Sequence, residues 1–331
     1  MRDYDLRMSL SRNLLAAAAD IKLHHSVFAL PFALLGACLA AMQSGGLGAQ
    51  RVALDAINQG QIVVSAQSVG VDWSQVPWVL LVACMVTART AAMLLNRILD
   101  AAIDGRNART ARRAIPSGAL SRSAAIAIAG AASILFIASC ASFGVWRQNW
   151  WPLRLSIPVL LWLLAYPLLK RRTWLCHVWL GVSLAISVPA AALAVQPAAV
   201  AQPVVWWLAA MVLLWVGGFD VIYALQDVQV DRREGLFSMP ATLGEEAALW
   251  ISAAMHVAAV ACLVAAIFAE PALGQWFQVA VAVTALLLIF EHATVRRWGT
   301  TRMALTFFTL NGCVSVVLGT AGILGLSGFA G

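Results

Sequence analysis

The amino-acid sequence predicts an all-α, polytopic membrane protein of about nine transmembrane helices. Three observations predict it. The 331-residue chain is 62% hydrophobic and only 11% charged, against about 25% charged residues in soluble domains. Apolar stretches close to the roughly 20 residues that a helix needs to cross a bilayer core recur along its length. The basic residues between those stretches fall preferentially on alternate sides.

In chain order, residues 1–22 carry Arg2, Asp3, Asp5, Arg7, Arg12, Asp20 and Lys22 and read as an amphipathic cytoplasmic lead-in, not a cleaved signal peptide. The first span is expected at 24–43. A polar stretch at 44–75, rich in Gln, Ser and Gly around Ile62-Val63-Val64, reads as an external loop. The remaining spans are expected at 76–99, 122–142, 154–169, 174–196, 203–224, 247–269, 274–292 and 303–328. Glycines at 319, 322, 325, 328 and 331 repeat every three residues, a spacing that drifts around a helix, and predict a loosely ordered end. The whole of 1–331 is read as one integral-membrane domain, with spans one to four and five to eight as loosely equivalent halves.

Of the 22 basic residues, only Arg51, Arg147 and Arg154 fall at the loops of one side, and Arg89 lies within a span. The rest crowd the other side, which the positive-inside rule makes cytoplasmic, together with the N-terminus. The net charge of +7 follows from those loops and implies no nucleic-acid partner. The six cysteines include no C-x-x-C pair and read as small core residues, not disulfides or metal ligands. Trp150-Trp151 and Trp206-Trp207 fit the outer boundary of the bilayer. A bacterial inner membrane is the expected location.

Two acidic clusters stand out. Asn96, Asp100 and Asp104 follow one another at four-residue steps, as do Tyr223, Asp227 and Asp231. Positions four apart share a helix face, so each cluster presents two carboxylates to one point. The chain has only 15 acidic residues, and these four, with Asp220, make a dense concentration at the cytoplasmic boundary. Carboxylates there are costly unless paired or metal-bound, and mark a functional site by default. Oxygen ligands without a Cys/His cluster suit Mg2+, which bridges carboxylates to phosphate. Arg97, Arg106, Arg109, Arg112 and Arg113 follow the first cluster, and Lys170, Arg171 and Arg172 project from a loop on the same side. Arginine forks suit phosphate oxygens. Carboxylates, Mg2+ and arginines beside a lipid phase point to a diphosphate carried on a lipid.

Other classes fit less well. The phosphotransferase pattern D-x-x-D-G-x-x-A-R-x8-G-x3-D-x3-D places Asp104-Gly105, Ala108-Arg109 and Gly118 in frame, but Ala101, Arg122 and Ile126 occupy three of its aspartate positions. A cation-coupled transporter is a further class, although transport sites sit near mid-membrane on broken helices and these clusters lie at a boundary among arginines.

The two clusters resemble the N-x-x-x-D-x-x-x-D and Y-x-x-x-D-x-x-x-D motifs of the UbiA family of intramembrane aromatic prenyltransferases. The first continues as Arg106-Asn107-Ala108-Arg109 through Pro116-Ser117-Gly118, and the second runs from Asp220-Val221-Ile222-Tyr223 through Asp231-Arg232-Arg233-Glu234 to Ser238. Ile21-Lys22-Leu23-His24-His25 through Pro31, Lys170-Arg171-Arg172-Thr173 with His177, and Phe307-Phe308-Thr309-Leu310-Asn311-Gly312 are similar to the family's first-helix start, middle loop and last helix. The resemblance implies helices around a central cavity with a lateral opening to lipid. It implies two Mg2+ ions, one held by Asp100 and Asp104 and the other by Asp227 and Asp231, with Asn96 as a ligand or as the group that orients Asp100. Arg109, Arg113, Lys170 and Arg171 become candidates for the diphosphate of a polyprenyl donor. Tyr223 is a candidate to shield an allylic cation or to hydrogen-bond within the site. Asp220 is a candidate to accept a phenol proton or bind the aromatic acid, or else to support another side chain. Lys22 and His25 are candidates for the acceptor carboxylate, while His177 and His292 read as structural. The implied acceptor is 4-hydroxybenzoate, in quinone biosynthesis. The run Tyr223-Ala224-Leu225-Gln226-Asp227 is also similar to a branch that prenylates a dihydroxynaphthoate in menaquinone synthesis through futalosine. Oligomeric state and prenyl chain length stay open.

Overall fold

The computed structural model describes residues 13, 15–18, 20–21, 27–42 and 71–328. Among the described residues every extended element is helical. The order is α1 (Leu30–Met42), α2 (Trp78–Arg106), α3 (Arg122–Arg147), α4 (Trp151–Leu169), α5 (Cys176–Val195), α6 (Pro203–Ala224), the short α7 (Val228–Glu234) and α8 (Met239–Leu243), α9 (Glu245–Ala269), α10 (Gly274–Trp298) and α11 (Asn311–Leu326). Among the described residues eight helical stretches are long and apolar enough to cross a membrane, and they coincide with the second to ninth expected spans. The first expected span is represented by α1. Lys22 and His25 lie outside the described residues, as does most of the expected loop 44–75.

Local chemistry explains the boundaries. Asp72 caps the 3-10 turn Trp73–Gln75 by accepting from the Ser74 backbone N–H at 3.1 Å. Ser121 caps α3 the same way, accepting from Ala124 N at 3.1 Å. Prolines open α4 and α6 at positions where the missing N–H costs nothing. Glu245 and Glu246 lie in the first turn of α9, where the helix dipole favours negative charge.

α6 is the core helix. It is apolar on every side, as a helix surrounded by other helices requires, and Leu208, Met211, Trp215 and Ile222 are fully buried. α5 and α9 pack against it, α3 packs on α2, and α11 on α10. A buried polar chain pins these helices together. The Trp215 indole N–H donates to Asn311 Oδ1 at 2.6 Å, and Asn311 Nδ2 donates to Glu291 at 2.8 Å. His256 bonds the Trp215 carbonyl at 3.2 Å and the His292 ring at 3.0 Å. Such groups are tolerated inside a membrane protein where they pair with one another, and here the pairing is partial, since Glu291 Oε2 and His292 Nδ1 find no hydrogen-bond partner among the described residues. The segment Ala304–Leu310 winds as a π-helix leading into Asn311.

α2 runs to Arg106 and carries the whole first cluster on one helix, as its spacing predicts, because Asp100 and Asp104 meet protein cations and the helix continues into the polar boundary. One expectation is corrected. The glycine-rich end is helical to Leu326. Gly319 and Gly325 allow close approach: a methyl group at Gly319 would overlap Pro31, and one at Gly325 the Leu273 carbonyl oxygen. The three-residue drift turns Gly319 and Gly325 about 120° apart, and they meet different neighbours. The cysteines are free, and all but Cys313 are buried or half-buried.

Candidate active site

Asn96, Asp100 and Asp104 stand on one unbroken helix, α2, so the four-residue spacing places them on one face. Asp100 is 2% exposed and Asp104 6%. The Asp100 carboxylate takes Lys170 Nζ at 2.6 Å on one oxygen and Arg171 Nη2 at 3.0 Å on the other. Arg171 Nη2 also donates to the Leu99 carbonyl at 2.8 Å. Arg113 Nη1 reaches both oxygens of Asp104, at 2.7 and 2.8 Å. Asn96 Oδ1, one turn before Asp100, is buried and has no hydrogen-bond partner among the described residues.

The second motif is built differently. α6 stops at Ala224, Leu225–Asp227 form a 3-10 turn, and α7 begins at Val228. The expectation that Tyr223, Asp227 and Asp231 share one continuous helical face is therefore corrected, because three residues per turn advance the chain by a larger angle per residue than 3.6. Asp227 is gripped by Arg109 through two donors, with Nε at 3.1 Å from Oδ1, and by Asn107 Nδ2 at 3.0 Å. Arg109 also donates to the Tyr223 hydroxyl at 3.2 Å and lies 5.5 Å from that ring's centroid. Burial works against the Arg109 charge, but the hydrogen bond and attraction of Asp227 outweigh it and raise its pKa above the ordinary arginine value. Phe307 packs against the Tyr223 ring, centroids 4.2 Å apart. Asp231 accepts from Ser238 Oγ at 2.6 Å. Asp220 is buried, and its Oδ2 lies 2.7 Å from His177 Nδ1.

The two motifs, distant in sequence, meet at one end of the bundle. Asn107 and Arg109 follow the first motif and bind the second. Arg106 pairs with Glu234, donating from Nε at 3.0 Å, and its carbonyl accepts from Arg233 at 3.2 Å. Phe237 N donates to the Lys170 carbonyl at 2.7 Å, which brings in the loop after α4. All four basic residues expected at a diphosphate, Arg109, Arg113, Lys170 and Arg171, are here and rest on motif aspartates. A cleft of about 380 Å³ at the opposite end, lined by Arg147, Asn149, Trp150 and Pro197 among others, is separate from them.

The donor set fits a hard divalent cation in kind: carboxylate oxygens from both motifs, plus the orphaned amide oxygen of Asn96. In this arrangement no three Asp, Glu, His or Cys side chains among the described residues converge tightly enough to hold a metal ion. The protein's own cations stand on the carboxylates instead. Sequence reasoning gave no role to Asn107 or Ser238 and left His177 as merely structural. The partners of all three lie across a helix break or on another helix, so no spacing rule points to them.

Comparison with known proteins agrees with this fold. A profile described as the UbiA prenyltransferase family matches residues 61–321. The 4-hydroxybenzoate octaprenyltransferase of Nitrosomonas eutropha is 29% identical over 240 residues, 72% of this chain and 80% of that one. The enzyme of the same name from Psychromonas ingrahamii is 35% identical over a shorter 151 residues, 45% of this chain and 50% of that one. The apo structure of a UbiA homolog from Aeropyrum pernix superposes with a TM-score of 0.73 at 33% identity, covering 91% of this chain and 98% of that one. A UbiA homolog from Archaeoglobus fulgidus bound to DMAPP and Mg2+ shares the fold, with a TM-score of 0.57 at 16% identity over 92% of this chain and 99% of that one. The chain belongs to the UbiA prenyltransferase family.

Proposed function

We propose that this protein transfers a polyprenyl group from polyprenyl diphosphate to an aromatic acid, 4-hydroxybenzoate in the first instance, in quinone biosynthesis. The observation that carries the reading is the meeting of two acidic motifs and four basic side chains at one end of an apolar bundle. The names of the relatives support the acceptor class, and the Mg2+ and prenyl diphosphate of the Archaeoglobus fulgidus homolog support the donor and the metal.

Asp100 and Asp104, with Asn96 beside them, would hold one Mg2+, and Asp227 and Asp231 a second. When bound, the metal supplies positive charge against the diphosphate oxygens. Arg109, Arg113, Lys170 and Arg171 turn from the carboxylates to those oxygens and hold the leaving group in place. The allylic carbon–oxygen bond then breaks, its electron pair leaving with pyrophosphate. The faces of Tyr223 and Phe307 shield the allylic cation. An electron-rich ring carbon ortho to the phenol hydroxyl attacks, and the displaced ring proton passes to a base. Asp220 accepts the phenol proton or orients the acid. Lys22 and His25 remain candidates for the acceptor carboxylate. The 1–331 chain acts as one domain in a bacterial inner membrane, with the site facing the cytoplasm.

The similarity of Tyr223-Ala224-Leu225-Gln226-Asp227 to the menaquinone branch supports a second acceptor, a dihydroxynaphthoate. Purified protein in lipid, given octaprenyl diphosphate and either labelled acid, decides between them. The proposal expects Mg2+-dependent conversion of 4-hydroxybenzoate with one pyrophosphate released per product. Conversion of the naphthoate alone moves the assignment to the second acceptor. Cation flux with neither acid converted supports the transporter and defeats the proposal.

A further inference from the structure

We propose that His177 is a positioning residue for Asp220, locked in one tautomer by the backbone of Met239. The inference rests on the reading of Asp220 as a group on the acceptor side of the site. The backbone N–H of Met239 lies 3.1 Å from His177 Nε2, and a backbone amide only donates. Nε2 therefore carries a lone pair, and the ring proton sits on Nδ1. Nδ1 lies 2.7 Å from Asp220 Oδ2, so His177 is a neutral donor to that carboxylate. His177 is 3% exposed, which excludes a competing water from most of its surface.

The segment that fixes the tautomer also touches the acidic motifs. Phe237 N bonds the carbonyl of Lys170, whose ammonium holds Asp100. Ser238 Oγ bonds Asp231. Met239 N, through His177, sets Asp220. Three consecutive residues thus reach three carboxylates, on α2, α6 and α7. The strap holds Asp231 and Asp220 from adjacent residues but through separate bonds, so the link through His177 can be cut without cutting the bond to Asp231. A histidine with no role beyond filling space would need neither hydrogen bond.

The test uses full-length protein in lipid nanodiscs. His177→Leu keeps an apolar volume and removes both bonds, while His177→Gln offers an amide N–H for Asp220 and an amide oxygen for Met239. The expected result is a KM for the aromatic acid raised about tenfold or more in His177→Leu, the scale of leaving a buried polar group unpaired. The KM for polyprenyl diphosphate and the calorimetric affinity for Mg2+ with pyrophosphate stay within about twofold, and His177→Gln recovers most of the acid KM. An unchanged acid KM, or donor and acceptor KM rising together without rescue, overturns the proposal. Nitrogen-15 NMR of labelled histidine reads the tautomer without turnover. An Nδ1-protonated neutral ring is expected, whereas an Nε2-protonated ring or an imidazolium overturns the proposal. If the wild type converts no aromatic acid while the NMR shows the expected tautomer, the functional reading has failed and the His177 link stands.

Discussion

Asp100 illustrates what burial does at the residue scale. A carboxylate only 2% exposed at a membrane boundary must find positive charge, and it finds Lys170 and Arg171. The account gives that charge balance a purpose, since the same carboxylate is proposed to hold metal. Asp100→Ala and Asp227→Ala are each expected to lower kcat by at least about 100-fold, measured as pyrophosphate release, with unchanged yield of membrane-inserted protein. Asn96 makes a finer point. Its amide oxygen is buried without a partner among the described residues, which is costly unless something else fills the gap. Asn96→Leu is expected to raise the Mg2+ concentration for half-maximal activity about tenfold or more, seen in a magnesium titration. The aspartates were legible in the sequence because a carboxylate in an apolar chain is rare and a four-residue step has one geometric meaning. The grip of Asn107 on Asp227 and of Ser238 on Asp231 was not, because the first pair is 120 residues apart in the chain and the helix carrying Asp231 ends at Glu234, short of Ser238.

At the scale of elements, the bilayer fixes helix length, and this is why eight expected spans reappear as helices. Where polarity rather than length decides, the sequence is a weaker guide. α2 outruns its apolar stretch because loop cations neutralise its last turns. The α6 register slips through a 3-10 turn before Asp227, which no hydropathy pattern signals. The loops at 107–121 and 170–175 carry a testable consequence. Arg113 and Lys170 already occupy Asp104 and Asp100, so a divalent ion must displace them. The displaced side chains are stabilised again only on phosphate oxygens. Mg2+ and pyrophosphate are therefore expected to bind cooperatively, each strengthening the other at least about fivefold. Isothermal calorimetry of each ligand, alone and in the presence of the other, checks this. Equal affinities in the two conditions would show that the ion pairs do not guard the carboxylates.

At the scale of the whole molecule, the acidic motifs and most of the basic residues share one end, while Arg147 bonds Gln75 at 2.8 Å at the other. Charge asymmetry of this kind orients a membrane protein, and the motif end is expected to face the cytoplasm. In a variant cleared of its native cysteines, Ser117→Cys, exposed in the loop after α2, should react with an impermeant thiol reagent in inverted vesicles and not in intact spheroplasts. The central claim is that two motifs far apart in the chain form one metal–diphosphate site. Electron paramagnetic resonance of Mn2+ bound together with pyrophosphate to the purified protein tests it most directly, using Asp100→Asn and Asp227→Asn. The account predicts that the bound Mn2+ signal is altered or lost in both variants, because each motif supplies ligands to a shared diphosphate. A signal that either variant leaves identical to the wild type would contradict it.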